Sequence, residues 1–220
     1  MEKHAIRIAA VANKTLLAHS DGVFPVSPLK IAKSMGIQVV DKKHARPLLD
    51  LFDAGLTREP VFSMRHGNDF VIVMDRNHGN LYWRRAWLAH EIGHYLLDDL
   101  TGGEETRTPR LFRGTFRRSV LEFSCDLFAL SLLMPLGVLG MAGITRMAEI
   151  QRICKVDIGM AFFAARAIRH RWFEYDEHER AAFRKFSGYL DMYRRQNDFL
   201  FLRDTYRSPL FSDISAEFVY

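Results

Sequence analysis

Two histidines and a glutamate interrupt an apolar run, "WLAHEIGHYLL", at residues 87–97. On a helix turning about 100° per residue, His94 falls about 40° from His90 and Glu91 about 100° from it, so the three share one quadrant. That spacing suits two imidazole ligands of a single tetrahedral Zn2+, with the Glu91 carboxylate beside the ion's open position. There Glu91 can act as general base toward a water whose pKa the ion lowers to about 7. A second apolar stretch, "VLEFSCDLFALSLLMP", carries Glu122 and Asp126 at i and i+4. Neighbouring carboxylates in apolar surroundings repel each other and lose hydration, which is costly unless a cation or strong donors compensate. The metal reading makes Glu122 the third ligand and lets Asp126 accept a hydrogen bond from a ligating histidine, fixing its tautomer. The alternative makes Glu122 a charge near a helix N-terminus and Asp126 the partner of an arginine. An elongated zinc motif, with histidine six residues after His94 and glycine three after, is excluded because Leu100 and Leu97 stand there. Asp98 and Asp99 fit no ligand motif.

These side chains need elements to hold them. Closely spaced apolar positions over residues 3–18 predict an N-terminal helix. In "SPLKIAKSMGIQVV", Ser27 caps a short helix with Pro28 at its first position, Gly36 stops it, and a strand follows at residues 37–40. "VFSMRHGNDFVIVMD" reads as a hairpin with strands at 61–65 and 70–75. Asn80 caps a helix over 81–98, and a second apolar helix over 119–134 ends at Pro135. Residues 101–118, with Arg107, Arg110, Arg113, Arg117 and Arg118, read as a long exposed loop. Helices at 144–154 and 158–170 and a polar helix at 176–195 follow. The aromatic tail beyond looks strand-like. The expected fold class is α+β, with a domain at 1–135 that holds the sheet and both ligand-bearing helices, a small helical segment at 136–172, and a C-terminal helix and tail at 173–220.

The combination of "WLAHEIGHYLL" with "EFSCDLFALSLLMP" resembles the ImmA/IrrE-type zinc metallopeptidases. Their signature is a His-Glu-x-x-His helix and a later Glu-x-x-Ala-Asn-x-Phe-Ala helix ending in Leu-Leu-Met-Pro. The resemblance extends over roughly residues 27–168, more faintly at "AEIQRICKVDIGMAFFAARAI". It implies a zincin-like metallopeptidase domain at 1–135 and a small helix-turn-helix-like segment at 136–172, with His90, His94 and Glu122 as zinc ligands and Glu91 as general base. Cys125 replaces the usual alanine, without chemical consequence in this reading, and Asp126 the usual asparagine. The resemblance also implies cleavage of a DNA-binding helix-turn-helix repressor in stress or mobile-element regulation. The hairpin strand at 70–75 is a candidate edge for an extended substrate.

With 220 residues and 48% hydrophobic composition the chain can bury a sizeable core without staples. Cys125 and Cys154 read as free core thiols of a reducing compartment, so the expected location is cytoplasmic. No uninterrupted apolar run is expected to cross a bilayer. The net charge of +5 is modest for a nucleic-acid binder. Arg166, Arg169, His170 and Arg171 could nevertheless contact phosphates, although Phe162, Phe163 and Ile168 point to a core role for their helix. Two rivals stand beside the peptidase: a regulator that keeps the metal fold but acts by binding a partner, such as an antirepressor, and a DNA-binding module with incidental histidines.

Overall fold

Four helices in this chain begin where a side chain accepts from one of their first free N–H groups. The computed structural model describes residues 2–45, 60–66, 69–97, 120–170 and 176–206. Helix α1 runs Glu2–His19, and α2 runs Pro28–Ser34 with Ser27 Oγ accepting from the Lys30 N–H. Strands β1 (Gln38–Asp41), β2 (Val61–His66) and β3 (Asp69–Met74) come next. Helix α3, Leu81–Leu97, is capped by Asn80, whose Oδ1 accepts from the Trp83 N–H at 3.0 Å. Then come α4 (Val120–Leu133), α5 (Leu136–Met141), α6 (Met147–Cys154), α7 (Ile158–Arg169) and α8 (Glu177–Tyr206). Asp157 and Asp176 cap α7 and α8, each accepting a backbone N–H at 2.8 Å.

The three strands form a mixed sheet in the order β1-β3-β2, with β1 parallel and β2 antiparallel to β3. The hairpin is therefore present, but β3 is central, paired on both sides, and cannot be the edge for a substrate. Among the described residues the edges are β1 and β2, and β2 is the one that carries Ser63. Alternation along the strands sends Val61, Ile72 and Met74 to the main core, while Phe62, Met64 and Val73 pack with Ala45 on the other face. Ser63 lies between Phe62 and Met64 and so shares the side of Val61, toward α3.

The main core gathers Leu16, Ile31, Ile72, Ile92, Phe128, Leu132 and Phe186, all fully buried, around α3 and α4. Ile150, Ile153 and Ala164 of α6 and α7 belong to the same apolar cluster. Arg85 ties α3 to neighbouring chain by donating to the carbonyls of Val26 and Cys154, both at 2.7 Å, and of Lys155.

Several expectations need correction. Helix α5 was not anticipated; its short apolar sequence follows Pro135 too closely to show a period of its own. The stretch 197–206, read as strand-like, continues α8, because neither glycine nor proline interrupts it before Pro209. On α7, Ile168 is buried, but Phe162 is 58% and Phe163 38% exposed, so the two phenylalanines are not core. Counting through Glu122 and Asp126, Val120–Met141 does reach bilayer-spanning length, with a mean hydropathy of 1.7. That stretch is 61% buried against the rest of the chain, as suits a core element broken at Pro135. The 101–118 loop, Asp98, Asp99, Leu100, Arg171 and the tail from 207 lie outside the described residues.

Candidate metal centre

The closest approach of the two central helices brings the predicted side chains together. Gly93 makes this possible: a Cβ added there would lie 3.1 Å from Cys125 Cα and 3.2 Å from both Cys125 Cβ and Phe128 Cδ1. One turn either way along α3, His90 and its neighbours then face the first turns of α4.

His90 Nε2 and His94 Nε2 are 3.1 Å apart. The Glu122 carboxylate straddles them, Oε2 lying 3.3 Å from His90 Nε2 and Oε1 3.2 Å from His94 Nε2. Three ligand atoms around a tetrahedral zinc with bonds of about 2.0–2.1 Å must stand about 3.3–3.4 Å apart. Each nitrogen therefore stands close to that separation from the other nitrogen and from one of the two carboxylate oxygens. On its far side His90 Nδ1 is 2.8 Å from Asp126 Oδ1. A carboxylate can only accept, so Nδ1 carries the proton and, in the neutral ring, Nε2 presents its lone pair toward His94 and Glu122.

The Glu122 carboxyl shows the electrostatics of the cluster. Burial by itself raises its pKa, but hydrogen bonds and charge from His90 and His94 outweigh that and hold it well below the usual carboxylate range. Glu91 is 98% buried, at 2% exposure, and its Oε2 accepts a 2.7 Å hydrogen bond from Ser63 Oγ of β2. The sheet edge and the candidate base are thereby joined through one hydroxyl.

His90, His94 and Cys125 form a group able to hold a metal ion, their ligand atoms lying within 4.8 Å of one another. The expectation that Cys125 is chemically silent is thus corrected, since one helical turn carries it from Glu122 to the same face. Glu122 is the other candidate third ligand, with one carboxylate oxygen near tetrahedral edge length from each histidine nitrogen. The metal's identity is not fixed by this arrangement alone.

Sequence reasoning found His90, Glu91, His94, Glu122 and Asp126, and the structure brings all five into one cluster. It missed Ser63, although a lone hydroxyl on the apolar side of "VFSM" was a usable signal. It also missed Gly93, the small residue between the histidines, and Ser124, a fully buried hydroxyl 2.8 Å from His4 Nε2 of α1. No family model matches the chain, and neither the curated proteins nor the solved structures contain a match to it.

Proposed function

We propose that the protein is a zincin-like, zinc-dependent peptidase of the ImmA/IrrE type, acting on a protein substrate. The observation that carries this reading is the triangle of His90 Nε2, His94 Nε2 and Glu122, with edges of 3.1–3.3 Å, beside a buried Glu91. A zinc ion held by these three residues would supply Lewis acidity toward a peptide carbonyl and toward water. Glu91, held by Ser63, takes the proton as water adds to the carbonyl carbon and delivers it to the departing amine nitrogen. One peptide bond and one water become a carboxylic acid and an amine. Asp126 keeps the proton of His90 on Nδ1 throughout.

The edge of β2, unpaired among the described residues, gives an extended substrate backbone a place to pair, and Ser63 on that strand sets the substrate's path relative to Glu91. The resemblance carried by "HEIGH" and "EFSCDLFALSLLMP" favours a helix-turn-helix repressor as the substrate. Two buried cysteines that form no disulfide fit action in a reducing cytoplasm. A buried glutamate next to the histidines, with its own hydrogen-bond donor, favours catalysis over a purely binding regulator, which needs no base. The test is incubation of the zinc-loaded chain with candidate repressors, followed by mass spectrometry for new termini. Cleavage by the wild type and none by Glu91→Gln is expected; equal cleavage by both, or by neither, would overturn the assignment.

A further inference from the structure

Away from the metal centre, α1, α4, α7 and the starts of α5 and α8 line a partly open cavity of about 140 Å³. Its walls are apolar, built from residues such as Ile6, Leu127, Leu130 and Phe163, and one end carries the carboxylates of Asp176 and Glu179. Asp176 spends one oxygen on the cap of α8. Glu179 is different. It is 95% buried, at 5% exposure, and its Oε2 has no hydrogen-bond partner among the described residues. The fold makes room for it with Gly137, where a Cβ would stand 1.7 Å from that oxygen. Any side chain at 137 would expel the carboxylate.

Asn13 and the Gly137 N–H hydrogen-bond the Glu179 carboxyl, but a buried carboxylate oxygen left without a partner is still costly, and the cost is relieved by a cation or a strong donor. None of the described residues lining the cavity is basic. An apolar cavity of about 150 Å³ holds a molecule the size of benzene. From the cavity's size, its apolar walls and the orphan oxygen at one end, we infer that this is a second ligand site, for a small organic ammonium ion with a compact apolar body. The ammonium would donate to Glu179 Oε2, with the Asp176 carboxylate adding charge, and the body would fill the space among Ile6, Leu127 and Phe163. Burial pushes the Glu179 carboxyl up to about 7, so a cation arriving at neutral pH also completes its ionisation.

Benzylammonium is a suitable probe and benzyl alcohol its neutral counterpart, each titrated calorimetrically into the full chain at neutral pH. The expected result is binding of benzylammonium at least tenfold tighter than benzyl alcohol, with that preference erased in Glu179→Gln. Ala9→Leu, which narrows the cavity without touching the carboxylate, should weaken both ligands. Equal affinity for the two probes, or no binding of either at millimolar concentration, would overturn the inference. The wild-type comparison does not depend on either variant folding, and neither arm depends on peptidase activity.

Discussion

His90 Nδ1 and Asp126 Oδ1 lie 2.8 Å apart across the interface of the two central helices. The pair orients the ring that presents Nε2 to His94 and Glu122. Asp126→Ala removes the acceptor, frees the ring to rotate and leaves its tautomer unset. Loss of such a partner costs about 10–100-fold in metal affinity. Asp126→Asn retains an oxygen acceptor and should lose less. Competition with a chromophoric chelator measures both; equal affinity of Asp126→Ala and the wild type would contradict the assigned role.

Ser63 positions Glu91 and is not itself part of the triangle. Ser63→Ala should leave metal binding within about twofold while lowering kcat on a cleaved substrate by roughly 10-fold, the scale of a misaligned general base. Ser63→Thr, which keeps the hydroxyl, should recover part of the rate. A drop in metal content in Ser63→Ala would show that the hydroxyl supports the site in another way.

Gly93→Ala sets two effects against each other. Alanine gains about 1 kcal/mol in helix propensity, whereas overpacking at a tight contact costs about 1–3 kcal/mol. The neighbour at 3.1 Å is the Cα of Cys125, backbone that cannot swing away, so the cost wins. The variant should melt at a lower temperature and bind metal more weakly, because α4 carries Glu122 away from the histidines. Thermal unfolding with and without zinc reads both effects.

Glu179 gives the fold a pH dependence. Burial raises its carboxyl from 4.5 to about 7; Asn13 and the Gly137 N–H oppose the rise and Asp176 adds to it. The folded chain therefore holds this proton more tightly than the unfolded chain does. The resulting stability is fully present below about pH 4.5 and is lost as the pH rises through about 7. Glu179→Gln lacks this titration, so relative to wild type it should gain stability from about pH 5 to about pH 8, by on the order of 3 kcal/mol at most. Denaturant unfolding at the two pH values checks the sign.

Much of this architecture was legible because local signals and burial agree. Ser27, Asn80, Pro135 and the apolar periods of α3 and α4 mark their elements in the chain itself. For these three helices the predicted bounds differ from the observed ones by a residue or so, whereas α6 begins three residues later than expected and α8 runs eleven residues further. What was not legible depends on tertiary placement. The continuous apolar run Phe70–Met74 of β3, against the polar Ser63, Arg65 and His66 of β2, is a local sign that β3 is the central strand, but the order itself depends on β1 pairing in parallel from a distant part of the chain. Phe162 looks like core by type but stands exposed, since α7 buries its alanines, Ala161, Ala164 and Ala165, instead. Ser63 and Glu91 are 28 residues apart and meet only because the sheet packs on α3. Cys125 was discounted as a substitute for alanine, yet the i+3 step from Glu122 sends it to the metal-facing side.

The central claim is that Glu122, not Cys125, completes the metal site with His90 and His94. Elemental analysis of the purified chain should find one zinc per chain in the wild type, in Glu91→Gln and in Cys125→Ser, and a sharp loss in Glu122→Ala. Zinc retained by Glu122→Ala but lost from Cys125→Ser would contradict the ligand assignment, and no zinc in the wild type after addition at neutral pH would contradict the peptidase itself.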